Sequence, residues 1–221
     1  MERSLHKTRS GRARGRRGGY HRGVATTRDR LIDASAELFR RQGYHGTGVK
    51  QIVDAAGAPF GSMYHFFPDG KEELGAEALR RSGALYGQLI GHFFAGGADP
   101  VVATRRFFDG AADHLVETDF VDACPIATVA LEVAGTSEVL RIATAEVFEA
   151  WLGDLAGFFV GRGLTRTQAR TLAVALFSLL EGAFILARAT RDDTAVRTAG
   201  RVAADTVRAA LEGRAAARRR P

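Results

Sequence analysis

Apolar residues recur at intervals of three and four along most of this chain, and no segment shows the two-residue alternation of a strand. The first such stretch places Leu31, Ala34, Leu38 and Phe39 on one helical face. Glycines and the five prolines separate the periodic segments, and abundant alanine favours helix further. The pattern predicts an all-α fold, with three helices before residue 70 and six helices after it.

Positive charge is concentrated at the two ends of the chain. The net charge is +6, yet residues 1–23 hold eight Lys or Arg against one Glu, and four arginines follow Gly213. Because residues 1–24 lack an apolar period, we predict a disordered basic arm there and a short basic tail at 214–221. Such ends attract nucleic acid without reading its sequence. A solubilising tail, or an over-long start assignment, explains the arm equally well.

Residues 26–59 include the capping and turn residues that a helix-turn-helix unit needs. Thr26 is placed to cap a first helix that Gly43 closes. Thr47 is the predicted N-cap of a short second helix that ends at Gly57, and Pro59 suits the first position of a third. The third helix must be short, because a proline and two glycines bound it. Two short helices around a tight glycine turn, with a first helix across them, predict a DNA-binding motif.

The third helix, "PFGSMYHFF", has two dissimilar faces. Met63 and Phe67 are four residues apart and are predicted to face inward, which turns four residues outward: Phe60, Gly61, Tyr64 and His65. Ser62, Tyr64 and His65 can donate hydrogen bonds to phosphate, whereas Phe60 can only contact a thymine methyl group. The alternative is that Tyr64 and Phe66 are ordinary core aromatics.

No pattern of residues indicates an enzyme, a metal site or a cofactor. Cys124 is the one cysteine, and nothing in the spacing of the six histidines supplies it with a base. A single cysteine suits a reducing compartment, and the N-terminus lacks the apolar region of a signal peptide. The apolar run Thr171–Ala187 contains Glu181 and predicts a buried helix rather than a membrane span. We therefore expect a cytoplasmic protein.

The segment "TRDRLIDASAELFRRQGYHGTGVKQIVDAAGAPFGSMYHFFPDGKEEL", Thr27 to Leu74, resembles the N-terminal domain of TetR-family transcriptional regulators. The extra glycine in "FPDGKEEL", the run Cys124-Pro125-Ile126 and "LLEGAFILARA" further resemble the LmrA/YxaF-like branch. The resemblance implies a helix-turn-helix domain at 25–70 and a ligand-binding and dimerisation domain at 71–213.

The resemblance also implies partners and contact residues. The family forms homodimers through the last two helices, which would place the two helix-turn-helix domains on a palindromic operator. Such a protein is usually a repressor that leaves the operator when a small molecule binds. The family's DNA contacts carry over to nine positions, which are Thr47, Gly48, Lys50, Phe60, Gly61, Ser62, Tyr64, His65 and Lys71. Phe60 replaces a common cation and Phe66 a common phosphate-binding histidine, so this chain lacks two polar contacts.

The second half of the chain is rich in aromatic residues, which either fill a core or line an apolar pocket with a few polar anchors. The predicted ligand contacts are Phe107, His114, Thr128, Trp151, Phe177 and Glu181. The expected effector is an apolar or aromatic small molecule. The alternatives from other classes are a small helical enzyme and a DNA-binding protein that does not switch.

Overall fold

The computed structural model describes residues 25–122 and 124–217 of the chain, and within them every regular element is helical. The helices are α1 (Thr27–Gln42), α2 (Val49–Ala55), α3 (Phe60–Phe66), α4 (Lys71–Phe93), α5 (Pro100–Glu117), α6 (Pro125–Val133), α7 (Glu138–Gly161), α8 (Arg166–Thr190) and α9 (Thr194–Ala217). The all-α prediction is confirmed. The basic arm at 1–24 and residues 218–221 of the tail lie outside the described residues.

The ends of the first helices follow from local side-chain chemistry. The Thr26 hydroxyl accepts from the Asp29 amide, and the Asp29 carboxylate accepts from the Thr26 amide in return, so α1 begins with a closed capping box. Gly43 ends α1 with φ 76° and ψ 175°, a conformation that glycine adopts readily. The prediction that Thr47 caps α2 is wrong, because Gly48 occupies the N-cap position.

Helix α4 joins the N-terminal helices to the rest of the molecule. It packs against α1 on one side and along α7 on the other, and its first turn completes the core beneath α2 and α3. That core is made of fully enclosed apolar side chains, namely Leu31, Phe39, Ile52, Met63, Phe67 and Leu74. Helix α4 is continuous for 23 residues and so connects this core to the α7 side of the molecule.

The remaining helices form a bundle in which α8 packs between α7 and α9, and α5 packs against α9. Helix α8 is long and apolar enough to span a membrane, but 44% of its most apolar 18-residue stretch is buried inside the chain. At the start of α7, Val139 and Ile142 are exposed, whereas Leu140 and Ala143 face the core. Further along the helix Val147, Trp151, Leu155 and Phe158 are buried, so the apolar spacing identifies the inner face over most of α7.

Close packing of α4 on α7 depends on Gly83. A Cβ atom built at Gly83 would overlap the methyl groups of Val147, and the indole N–H of Trp151 donates to the Gly83 carbonyl at 2.8 Å. We expect Gly83→Ala to lower the free energy of unfolding by about 1–3 kcal/mol, because overpacking outweighs the gain in helix propensity. Urea denaturation at a fixed protein concentration measures the change.

The matched control is Gly153→Ala on the exposed face of α7, where an added Cβ has no neighbour within 4 Å. It should raise the free energy of unfolding by about 0.5–1 kcal/mol. If both variants are stabilised, the packing between α4 and α7 is not tight at Gly83.

Candidate nucleic-acid interface and internal cavity

Helix α3 presents an aromatic surface to solvent. Met63 and Phe67 are fully buried beneath it, whereas Phe60 and Tyr64 are 55% and 52% exposed, with ring centroids 6.0 Å apart. Exposing two large rings on one short helix is costly unless a partner covers them. The division into an inner and an outer face follows the predicted spacing.

Around these rings lie groups that can contact a nucleic acid. His65 and Gly61 are exposed, Ser62 is half-buried, and a Cβ built at Gly61 has no neighbour within 4 Å. On α2, Lys50 is almost wholly exposed, with its Nζ 2.9 Å from an Asp54 carboxylate oxygen. The surface therefore combines an accessible backbone at Gly61, the exposed rings of Phe60 and Tyr64, and several hydrogen-bond donors.

Two predicted contact residues point into the protein instead. The Thr47 hydroxyl is buried and donates to the Gly43 carbonyl at 2.7 Å. The Lys71 ammonium donates to the Tyr44 carbonyl at 2.7 Å and lies 3.9 Å from the centroid of the Tyr44 ring, and burial lowers its pKa. Both side chains contact the corner between α1 and α2, and their role as phosphate contacts stays a prediction.

The helix-turn-helix region has no net positive charge, and most of its arginines are ion-paired. Residues 25–70 contain five Lys or Arg and five Asp or Glu. Arg28 is ion-paired with Glu77, and Arg40 and Arg41 both pair with Glu37. Because paired charges attract phosphate weakly, this region alone supplies little of the electrostatic affinity that DNA-binding proteins require.

Between α4, α5, α7 and α8 lies a cavity of about 400 Å³. Five of the six predicted ligand contacts line it, which are Phe107, His114, Trp151, Phe177 and Glu181. Thr128 does not, because it lies on α6 with its hydroxyl donating to the Cys124 carbonyl at 3.0 Å. The lining also includes residues that are not among the six predicted ligand contacts, among them Tyr86, Phe93, Asp113, Glu117, Asp122 and Cys124.

Aromatic rings hold the apolar wall of this cavity in place. Trp151 stacks on Phe177 with their centroids 6.0 Å apart and an angle of 18° between the planes. Phe93 and Phe107 meet edge to face at 5.7 Å. Because the indole N–H of Trp151 is already bonded to the Gly83 carbonyl, the ring offers its face, not its donor, to the cavity.

One carboxyl group lies deep in this apolar site. Burial raises the pKa of Glu181 to about 7, and a hydrogen bond from the Cys124 thiol only partly opposes that rise. Burial, together with the nearby Glu181 charge, raises the pKa of the Cys124 thiol well above its ordinary value. The thiol is therefore protonated near neutral pH, and it is a poor nucleophile.

The cavity wall is connected directly to the helix-turn-helix region. Asp122, which lines the cavity, is buried and ion-paired with the Arg40 guanidinium of α1. On α6, Glu132 accepts a hydrogen bond from the His45 amide at 2.8 Å, and its carboxylate occupies the space that a side chain at Gly43 would need. The carboxylates of Asp122 and Glu132 thus both contact the C-terminal end of α1 or the turn that follows it.

Nothing in the described part of the chain forms a metal centre. Across residues 25–122 and 124–217, no group of three or more His, Cys, Asp or Glu side chains is arranged to hold an ion.

Two known domain profiles match the chain. Residues 31–78 match the profile of bacterial regulatory proteins of the tetR family. Residues 100–202 match the C-terminal domain of LmrA/YxaF-like transcriptional regulators. The first match covers α2 and α3, and the second covers the cavity lining except for the part that α4 supplies.

Full-length relatives show the same resemblance. The chain is 36% identical to YxaF of Bacillus subtilis, an uncharacterized HTH-type transcriptional regulator, over 76% of this chain and 88% of that protein. It is 29% identical to the HTH-type transcriptional regulator LmrA of the same species, over 76% of this chain and 89% of that protein. Each alignment covers most of both sequences.

Solved structures share the fold. A TetR transcriptional regulator from Legionella pneumophila has a TM-score of 0.72 at 20% identity, covering 83% of this chain and 98% of that one. Reduced Escherichia coli NemR has a TM-score of 0.69 at 22% identity, covering 80% and 94%. At these identities the likeness concerns the fold alone.

The raised pKa of Glu181 makes a prediction about stability. A carboxyl whose pKa is higher in the folded state stabilises the fold below its unfolded pKa, and this stability is lost as pH rises from about 4.5 to about 7. Glu181→Gln removes the ionisation. We expect its stability relative to the wild type to improve by about 2 kcal/mol between acidic pH and pH 8, as measured by chemical denaturation.

Glu212→Gln, at an exposed position of α9, provides the control and should show no such change with pH. A Glu181→Gln variant whose stability relative to wild type is constant with pH would contradict the assignment of a buried, neutral carboxyl.

Proposed function

The chain belongs to the TetR family of bacterial transcriptional regulators, which are DNA-binding proteins and not enzymes, and from this we propose that it is a repressor released from a palindromic operator by a small molecule in the cavity. The observation that carries the proposal is Asp122, which lines the cavity and is ion-paired with Arg40 of α1. A DNA-binding protein without a switch would need neither the cavity nor this connection. Such a regulator acts in the cytoplasm, where its operator lies.

We assign the reading of DNA to the outer face of α3. Its N-terminal end would enter the major groove, with Phe60 against a thymine methyl and the open backbone at Gly61 close to the base edges. Ser62, Tyr64 and His65 would donate to phosphates and fix the register. Lys50 and the α2 end at Gly48 supply further contacts, whereas Thr47 and Lys71 support the corner from within.

We assign dimerisation to the exposed faces of α8 and α9. Val174 and Ile185 on α8, and Val202 on α9, are 41%, 59% and 49% exposed, and Gly182 lies between them with open space around it. The other apolar face of α9, formed by Val196, Ala199, Ala203 and Val207, packs within the chain. A two-fold dimer would place two α3 helices about 34 Å apart, one turn of DNA.

Release would follow from differential binding. A ligand favours whichever conformation it contacts better, so it must prefer an arrangement of Asp122 and α4 that differs from the DNA-bound one. Because Asp122 is buried, moving it requires Arg40 to move as well or to lose its counter-charge. The shift would therefore reach α1 and change the spacing of the two α3 helices.

The central test is selection of bound DNA from a random pool. We expect enrichment of an inverted repeat whose half-sites are about one helical turn apart. Ile185→Asp should abolish this binding and yield a monomer in light scattering, because it places a charge in the proposed interface. A compound that binds the cavity should then weaken operator binding in a gel-shift titration.

The control is Leu131→Asp on α6, the same change at another exposed apolar position that is 75% accessible. It should leave both the dimer and the operator affinity intact. Failure to enrich any inverted repeat with the wild type, or an Ile185→Asp protein that stays dimeric, would refute the proposal.

The basic arm should supply the charge that residues 25–70 lack. Removing residues 1–22 should make the plot of log K against log salt concentration shallower, by about 0.9 for each phosphate that the arm neutralises. Filter binding over a range of salt concentrations measures the slope.

An arm of unchanged length, with its eight Lys and Arg residues replaced by Gln, separates charge from length and should match the deletion. An unchanged slope in both proteins would show that the arm does not touch DNA.

A further inference from the structure

The cavity points to the chemical class of the effector. We propose, on the premise of the function above, that the effector is an organic cation, an aromatic molecule whose protonated amine lies beside Glu181. The inference stands on the charges and rings that line the cavity.

The charged residues of the lining have one sign. Four carboxylates line the cavity, those of Asp113, Glu117, Asp122 and Glu181, and no lysine or arginine is found among the described lining residues. Asp113 is paired with Arg197 and Asp122 with Arg40, both from outside the cavity. Over the described residues, Glu117 and Glu181 have no ion-pair partner, so these two carboxylates are left for a ligand.

The two unpaired carboxylates differ in position. Glu117 is exposed to solvent, so it is the carboxylate to which a cation would first be attracted. Glu181 lies on α8, beside the buried Cys124 thiol and the Trp151–Phe177 stack. An amine at the inner position would replace a weak thiol donor with a charge-assisted hydrogen bond.

The rings around Glu181 suit a cation as well as an aromatic body. Phe93, Phe107, Trp151 and Phe177 line one continuous cavity, and aromatic faces attract cations where water is excluded. The volume of about 400 Å³ suits a molecule of one or two rings. A carboxylate ligand would bury its negative charge among carboxyl groups, with no lysine or arginine in the described lining to pair with it, which is strongly unfavourable.

Ligand binding should depend on pH, because an amine pairs with the ionised form of Glu181, whose pKa is about 7 without a ligand. The other titratable groups around this cavity are Tyr86 on α4, Asp113, His114 and Glu117 on α5, Asp122 on the following loop and Cys124 at the start of α6. The part of the pH dependence of ligand affinity that is due to Glu181 is therefore the part that disappears in the Glu181→Gln variant.

The test uses three compounds of one shape: phenylbutylamine, phenylbutanol and phenylbutyrate. Trp151 is the only tryptophan, so its fluorescence reports binding to the DNA-free protein directly. We expect the amine to bind at least about tenfold more tightly than the alcohol, and the carboxylate more weakly than both. Amine affinity should rise between about pH 6 and pH 8 as Glu181 ionises.

Glu181→Gln should weaken amine binding about tenfold, remove its pH dependence and leave alcohol binding unchanged. Glu212→Gln is the matched control and should behave as the wild type. Equal or tighter binding of the alcohol, a Glu181→Gln protein that keeps its amine affinity, or no binding of any of the three would overturn the inference.

This experiment is separable from the test of the proposed function. Amine binding that depends on Glu181 but does not weaken operator binding would refute the switch and leave the ligand class standing. Operator release by compounds other than amines, with no amine binding, would leave the repressor standing and refute the ligand class.

Discussion

The buried ion pair between Arg40 and Asp122 ties the two halves of the molecule together. Two charges withdrawn from water tolerate separation poorly, because each would be left buried without its partner. The first belongs to the helix that supports α2 and α3, and the second forms part of the cavity wall. Arg81 of α4 reinforces the same connection through ion pairs with Asp29 and Asp33. Ion pairs from α4 and from the loop before α6 therefore connect α1, which supports α2 and α3, to the helices around the cavity.

Much of the fold could be predicted because helical periodicity, capping residues and glycine turns are local signals. The Thr26 capping box and the buried Met63 and Phe67 of α3 all follow from residues within one or two turns. The capping of α2 could not be predicted in the same way, because Thr47 is drawn inward by the carbonyl of Gly43, which only the folded corner supplies.

Predictions about side chains in the bundle were less successful for a physical reason. An apolar stripe shows that one face of a helix is covered, but not whether the same chain or a second copy covers it. The α9 residues Val196 and Val207 are covered by their own chain. The cavity shows the same limit: Phe107, Trp151 and Phe177, predicted from the aromatic content, line it, whereas Thr128 lies outside the lining and Asp122, which comes from a loop, was not predicted.

Gly43 and Glu132 are 89 positions apart in the sequence, yet the Glu132 carboxylate packs directly against the Gly43 backbone. The glycine backbone has φ 76°, and the Glu132 carboxylate fills the space that any side chain at position 43 would need. During divergence, a larger residue at position 43 would have to be accompanied by a shorter one at position 132. The two positions are therefore expected to covary among homologues, because α6 packs against the end of α1 at this point.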